Sequence, residues 1–226
     1  MRLVAIADPH GTLPEVPPCD VLVIAGDLCP GFGINGRLVS SAFSREHQVE
    51  WLATTYTTWE RGTPAEHILL VPGNHDWFTA DDIEACLPVR SKCLVDDGVR
   101  IGDLKFWGSP WTPPFLSWNY MLGDRRRQAR LAAIPEGLDV LITHGPPLGI
   151  CDLTVDGIHA GDPLLIGVAE RKQPRVMVFG HIHEGWGPSP YNWKSPAQMW
   201  NVSLGLDEPR PPLVLDITPT SIIPVM

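Results

Sequence analysis

The sequence has 226 residues and a formal net charge of −9, and 44% of its residues are hydrophobic. This length fits one domain spanning residues 1–226, and the hydrophobic content excludes a chain that is disordered throughout. The acidic balance disfavours duplex nucleic acid as a partner, because nonspecific binding to phosphate backbones needs a basic face. No apolar run approaches the ~18 residues of a membrane-spanning helix, so we expect no membrane partner.

The cysteines are five in number, and no two have the C-x-x-C spacing. An odd count without that spacing argues against a disulfide framework and against a structural zinc site. The apolar run at the N-terminus is also too short for a signal peptide. These features predict reduced thiols and a cytoplasmic protein.

Five short apolar runs in the sequence each end at a polar side chain. They are rich in Val and Ile and do not alternate with polar residues, which is typical of strands buried on both faces. The runs are Leu3–Ala7, Val21–Ala25, Ile68–Val71, Val140–Thr143 and Val176–Phe179. Because ligands bind at the carboxyl edge of open α/β sheets, we expect the polar groups that follow these strands to lie close together.

Helical patterns lie between some of these runs. Apolar residues from Ser41 to Arg61 follow helical spacing, and Gly62 ends the pattern. Asp162-Pro163 predicts the start of a second helix, because Asp is a favoured N-cap and Pro is favoured at the first helical position. The segment Arg125–Ala133 predicts a shorter third helix.

The remaining strand patterns come in the middle and at the end of the chain. Val99–Ile101 and Leu104–Trp107 predict a hairpin with a two-residue turn. Met199–Leu204 and Leu213–Ile217 are predicted as closing strands. Strand–helix units followed by late strands predict two sheets with helices outside them.

The first two polar positions suit a cation. Asp8 and His10 are two residues apart, so in extended backbone they point to the same side and can reach one ion. Asp27 follows the second strand, where a buried carboxylate needs a partner such as a metal. Each feature alone is weak, since an Asp that caps a loop would look the same.

The later positions extend the same pattern. Asn74 offers an amide oxygen to a hard cation, and the adjacent His75 can point toward a substrate instead. His144 ends the fourth strand, while His181 and His183 form an H-x-H pair after the fifth. Two Asp, one Asn and four His suit a pair of divalent transition metals, and we expect Mn²⁺, with Fe or Zn²⁺ as alternatives.

The ordered series D-x-H, G-D, G-N-H-D, H and G-H-x-H resembles the signature of the calcineurin-like metallophosphoesterases. The resemblance extends to the metallophosphoesterase-domain-containing subgroup. It is carried by the stretches GSPW at 108–111, IPEG at 134–137, LITHGPPLG at 141–149 and VFGHIHEG at 178–185. It implies a four-layer αββα sandwich and hydrolysis of a phosphate ester by a hydroxide that bridges two divalent metal ions.

The resemblance also implies a role for each residue of the series. Its implied ligands are Asp8, His10 and His183 for the first metal, Asn74, His144 and His181 for the second, and Asp27 as the bridge between them. His75 is the implied proton donor to the leaving oxygen, and it contacts the substrate phosphate together with Asn74. The acid after His75 is Asp76, where relatives often carry Glu, so the geometry around His75 is the feature in question.

Several functions remain open at this stage. The subgroup implies phosphodiesters, cyclic nucleotides among them, as the small phosphate-ester substrate. A phosphomonoesterase, a nuclease of the same family and a non-catalytic metal-binding scaffold are the alternatives. The scaffold is disfavoured because all seven implied ligands and His75 are present.

Two further clusters have no assigned role. Trp107, Trp111 and Trp118 surround a Pro-rich loop, where they either stack on a ring of the substrate or pack within the loop, and packing is favoured. Arg125–Arg127 and Arg130 either hold a substrate phosphate or form a solvated helix face, and the solvated face is favoured.

Overall fold

The computed structural model describes residues 1–31, 44–86, 90–189, 197–205 and 210–225. Within these ranges, twelve strands form two six-stranded sheets. The first sheet contains β1 (Arg2–Ile6), β2 (Cys19–Ala25), β3 (Ala65–Val71), β4 (Ser91–Cys93), β11 (Leu213–Ile217) and β12 (Ile222–Pro224). The second contains β5 (Asp97–Ile101), β6 (Leu104–Ser109), β7 (Val140–Thr143), β8 (Val176–Phe179), β9 (Gly187–Pro188) and β10 (Gln198–Asn201).

Both sheets are mixed. The first has the strand order β12-β11-β1-β2-β3-β4, in which β1 to β4 are parallel and β11 runs antiparallel to β1. The second has the order β5-β6-β7-β8-β10-β9, in which β6, β7, β8 and β10 are parallel. The parallel strands of each sheet therefore present their carboxyl ends along one edge.

The helices cover the outer faces of the sheets. The first helical segment runs without a break through α1 (Arg45–Trp51), a π-helical turn (Leu52–Tyr56) and α2 (Thr57–Gly62). The others are α3 (Ala80–Cys86), α4 (Asp124–Ala132), α5 (Pro163–Lys172) and a 3-10 turn (His183–Gly185). At the start of α5, the Asp162 side chain accepts a hydrogen bond from the Leu164 amide, as the N-cap prediction requires.

Successive residues of each central strand enter different cores. In β1, Leu3 and Ala5 pack between the two sheets, whereas Val4 and Ile6 pack against the helical segment 45–62. A third core lies between the second sheet and helices α4 and α5. The order of layers is therefore helices, sheet, sheet, helices, which confirms the predicted αββα sandwich. It also explains why the strand sequences are apolar without alternation.

Most predicted elements are confirmed. The five buried strands, the β5–β6 hairpin, α4 and α5 lie where the sequence places them. The first predicted helix is confirmed from Arg45 onward, and its start at residues 41–43 lies outside the described residues. No helix in the described ranges is both long and apolar enough to cross a bilayer.

The strand predicted over Met199–Leu204 is too long. Strand β10 ends at Asn201, and the chain then leaves the second sheet for the end of β1. The Ala7 amide donates to Val202 O at 2.9 Å, and the Leu204 amide donates to Ala7 O at 2.9 Å. A single apolar run thus connects the two sheets, which periodicity within one strand does not predict.

The prediction of a solvated arginine face on α4 is wrong for one residue. Arg127 is 1% exposed, and its Nε donates to Asp162 Oδ2 at 2.6 Å. Its Nη1 also donates to the Leu122 carbonyl. The guanidinium therefore ties α4 and the loop before it to the start of α5, while Arg125 and Arg126 are exposed.

Candidate metal centre

The carboxyl ends of five parallel strands bring together the polar residues of the sequence series. Asp8 follows β1, Asp27 follows β2 and Asn74 follows β3 in the first sheet. His144 follows β7, and the pair His181 and His183 follows β8, in the second sheet. The Gly180 amide donates to His144 O at 2.8 Å, and the Asp8 amide donates to Gly26 O at 3.0 Å, so neighbouring strand ends are joined directly.

The backbone at this edge adopts uncommon conformations. Four of the seven predicted ligands have positive φ angles, namely Asp8 at 55°, His10 at 45°, Asp27 at 52° and His181 at 69°. Such residues cost free energy and cluster at functional sites. The residue at position 73 must also be glycine, because the backbone passes so close to Asp27 that a Cβ there would lie 2.2 Å from Asp27 Oδ1.

Two groups of ligand atoms form at this edge. The first group consists of Asp8, His10 and His183, and the second consists of Asp27, His144 and His181. Within each group the ligand atoms lie within 4.8 Å of one another. Asn74 joins the second group, since its Oδ1 lies 2.8 Å from His144 Nε2. All seven residues predicted from the sequence are thus brought together.

Asp27 lies between the two groups. Its Oδ2 is 3.8 Å from His10 Nε2, and its Oδ1 is 3.5 Å from His144 Nε2. One carboxylate oxygen therefore faces each group. The His181 amide makes a second connection, because it donates to Asp8 Oδ2 at 2.8 Å. This is the arrangement that a bridging carboxylate requires.

The tautomer of His144 is set by its surroundings. Its Nδ1 lies 3.0 Å from the Ala25 carbonyl, which can only accept, so Nδ1 carries the proton. Burial lowers the pKa of His144, which favours the neutral ring and leaves a lone pair on Nε2. That lone pair faces Asn74 Oδ1 at 2.8 Å and Asp27 Oδ1 at 3.5 Å. A cation placed here would meet a neutral imidazole, an amide oxygen and a carboxylate, which are all metal ligands.

Several buried titratable groups of the centre have shifted pKa values. Burial raises the pKa of Asp27 well above its usual range, and the Asp8 and Asp76 carboxylates raise it further. Burial likewise lowers the pKa of His10 and His181 well below the usual value, so both rings are neutral near pH 7. Neutral imidazoles are the form that binds metals. In addition, Asp8 Oδ1 is buried and has no hydrogen-bond partner among the described residues. The donor set fits divalent cations.

Asp76 organises the backbone around this centre. Its buried carboxylate accepts hydrogen bonds from the amides of Gly73 at 2.8 Å, Cys29 at 2.9 Å and Leu28 at 3.1 Å. It therefore joins the loop after Asp27 to the turn that carries Asn74. The aspartate that departs from the pattern of the relatives is thus fully engaged, and it is not a member of either ligand group.

Two side-chain amides hold the same turn from outside the sequence motifs. Gln48 in α1 donates from Nε2 to His75 O at 2.8 Å and accepts from the Trp77 amide at 2.6 Å. Asn119 donates from Nδ2 to Asp76 O at 2.8 Å, and its backbone amide donates to Asn74 O at 3.1 Å. The sequence reasoning missed both residues, because a single amide in a helix or loop carries no motif.

His75 is buried beside the first ligand group. Its ring centroid is 5.2 Å from that of His10 and 4.4 Å from that of Trp118. Its amide donates to Asp27 Oδ1 at 2.7 Å, which fixes the backbone relative to the second ligand group. Burial lowers the pKa of His75 to about 4, and His144 and His183 add to this effect. The ring is therefore neutral at pH 7.

We expect Gln48→Met to impair turnover while metal remains bound. The change removes both hydrogen bonds to the turn with little change in side-chain volume, and buried polar groups left unpaired cost ~1–3 kcal/mol each. Because misplaced catalytic groups lose rate, kcat should fall about tenfold or more. Metal content, kcat and the free energy of unfolding are measured together. The exposed Thr54→Ala in the same helical segment is the control, and a Gln48→Met variant as active as this control would contradict the role.

Known proteins are similar to this chain in sequence. The profile of the calcineurin-like phosphoesterase family matches residues 1–185. Human metallophosphoesterase domain-containing protein 1 is 32% identical over 96% of this chain and 71% of its own length. A UPF0046 protein from Caenorhabditis elegans is 29% identical over 96% of this chain and 60% of its own length.

A solved structure shares the architecture. It aligns with a TM-score of 0.69 at 16% identity, covering 99% of this chain and 98% of that one. At this identity the likeness concerns the fold alone. The match of the family profile to most of the sequence shows the relationship, and the chain therefore belongs to the calcineurin-like phosphoesterase family.

Proposed function

We propose that this chain is a metal-dependent phosphoesterase that acts on phosphodiesters, cyclic nucleotides among them. The observation that carries the proposal is the position of Asp27 between two groups of ligand atoms. Asp8, His10 and His183 would hold one cation, and Asn74, His144 and His181 the other. The proposed metal is Mn²⁺, since carboxylate, amide and imidazole donors suit that ion.

The chemistry of the proposed site follows from charge. When bound, two divalent cations neutralise the anionic ester and supply a water of lowered pKa as the nucleophile. The chain itself fixes the positions of the metal-ligand side chains, through the strand ends and through the hydrogen bonds of Asp76. His75 would contact a phosphate oxygen, and the negative charge of the ester would favour its protonated form. The protonated ring can then give its proton to the leaving oxygen.

The preference for diesters rests on the sequence resemblance to the subgroup, and a substrate screen tests it. Protein stripped of metal by chelation should be inactive, and Mn²⁺ should restore hydrolysis of aryl diesters and cyclic nucleotides more than of aryl monoesters. Undiminished turnover in thoroughly demetallated protein would contradict the metal-dependent reaction. Faster hydrolysis of monoesters would contradict the diester preference alone.

A further inference from the structure

One loop forms a fixed structure beside His75. We call residues 112–121 the aromatic loop. Thr112 and Met121 pair at its base, where the Thr112 amide donates to Tyr120 O at 3.1 Å. The Tyr120 hydroxyl donates to Phe78 O at 2.7 Å, which attaches this base to the segment after β3. The loop is therefore held in place by hydrogen bonds within it and beneath it.

Asn119 joins the aromatic loop to the turn of the metal centre. Its backbone and side-chain amides donate to Asn74 O and Asp76 O, on either side of His75. The preceding residue, Trp118, thereby lies with its ring centroid 4.4 Å from that of His75, at an interplanar angle of 46°. The indole thus forms a wall directly next to the candidate proton donor.

The tip of the aromatic loop continues this wall into solvent. The Phe115 ring lies 5.4 Å from the Trp118 ring in an edge-on arrangement, and Phe115 is 60% exposed. Leu116 is 72% exposed and has a φ angle of 55°. A left-handed backbone costs a leucine about 1–2 kcal/mol. The fold thus holds apolar side chains in water at a strained position, which is typical of a binding surface.

We propose that Trp118 and Phe115 form a subsite for a planar, apolar ring in the substrate ester, such as an aryl group or a nucleobase. The inference rests on the proposed function, since it places the ring next to the group that His75 serves. The Trp118 ring contacts the His75 ring, and the His75 ring centroid lies 5.2 Å from that of His10 in the first ligand group. A ring bound against Trp118 would therefore belong to the substrate ester itself. A rigid aromatic wall binds a flat ring at little entropic cost.

Binding of non-hydrolysable phosphonates tests this subsite without turnover. Calorimetry on the Mn²⁺-loaded protein compares phenylphosphonate with methylphosphonate, which share the metal-binding group and differ in the ring. Stacking on an aromatic side chain should make phenylphosphonate bind about tenfold more tightly or better. In Trp118→Ala this advantage should fall below about threefold, with methylphosphonate affinity unchanged.

Two further variants show whether an effect of Trp118→Ala comes from the lost indole or from misfolding. Phe115→Ala changes a side chain that is mostly in solvent, and it should remove part of the phenyl advantage at full metal content. Trp186→Leu changes an exposed tryptophan near His183 and should keep the advantage intact. Full retention of the phenyl advantage in both Trp118→Ala and Phe115→Ala, or its loss in Trp186→Leu, would overturn the subsite.

The outcomes also separate this inference from the proposed function. Equal binding of the two phosphonates to the wild-type protein would overturn the subsite and leave the phosphoesterase proposal standing. Equal weakening of both phosphonates in Trp118→Ala would also overturn it, because the indole would then act on His75 or the metals. A wild-type protein that binds neither phosphonate in the presence of Mn²⁺ would overturn the subsite, and the substrate screen on the demetallated and Mn²⁺-restored protein then decides the proposed function separately.

Discussion

Asp27→Ala should lose metal and activity together. Its two carboxylate oxygens face different ligand groups, at 3.8 Å from His10 Nε2 and 3.5 Å from His144 Nε2, and no other carboxylate in the described chain occupies that position. Without it, neither of the two proposed cations would have a full set of donors. We expect hydrolysis to fall to the background of metal-free protein.

The stability of Asp27→Ala gives a second measure of the same loss. Binding to the native state alone stabilises a protein by ~2.7 kcal/mol when the free metal is at 100 times its dissociation constant. Wild-type protein should show such a rise with Mn²⁺, and Asp27→Ala should not. The metal-free variant should remain folded, because the change removes a carboxyl that is buried beside other acidic groups.

Two further variants complete the test of Asp27. Asp27→Asn keeps an acceptor for the His75 amide while removing the charge, so it separates metal affinity from the hydrogen bond. The exposed Asp156→Ala is the matched control and should behave as wild type. An Asp27→Ala protein that still binds two equivalents of Mn²⁺ would contradict the bridging role.

His75→Ala should separate the chemistry from the assembly of the metal centre. His75 belongs to neither ligand group, so the variant should retain nearly normal metal content. Removal of a general acid typically lowers the rate by ~10²–10⁴-fold, and we expect this loss in kcat for an ester with an alkoxide leaving group. For a nitrophenyl ester the loss should be much smaller, because nitrophenolate needs little protonation to leave.

The comparison of leaving groups is the decisive part of this experiment. Metal stoichiometry and kcat are measured for His75→Ala and wild type on a nitrophenyl and an alkyl diester. A variant that loses its metal would show that His75 is a ligand. A metal-replete variant that hydrolyses the alkyl ester at the wild-type rate would show that another group supplies the proton.

The architecture was predictable because burial on both faces leaves a distinctive sequence. Runs such as Val21–Ala25 and Val176–Phe179 are apolar at every position, since alternate residues enter different cores. The polar residue that ends each run then lies at the shared carboxyl edge of the sheets. The strand pattern therefore predicts that the candidate ligands lie close together, whereas their division between two metals is implied only by the family resemblance.

Other features follow from contacts between distant segments, which a local pattern does not encode. The burial of Arg127 depends on Asp162, which lies 35 residues later in the chain. The early end of β10 depends on hydrogen bonds to Ala7 in the other sheet. Gln48 and Asn119 act through backbone groups of the turn, and a backbone acceptor leaves no trace in the sequence of the residue that carries it.

The contact of Trp118 with His75 could be predicted from the sequence only in part. The sequence marks the aromatic loop by its Trp and Pro residues, and it favours packing over contact with a substrate. The structure shows packing on one side, against His75, and exposure on the other, at Phe115. Composition identifies such a loop, but only the tertiary contact through Asn119 locates it beside the metal centre.

The central claim is that Asp27 joins two metal ions, and anomalous diffraction tests it most directly. Data collected at the manganese absorption edge from crystals grown with Mn²⁺ should show two peaks on either side of the Asp27 carboxylate, about 4 Å apart as in other two-metal sites. One peak should lie among Asp8, His10 and His183, and the other among Asn74, His144 and His181. A single peak, or peaks away from Asp27, would contradict the account.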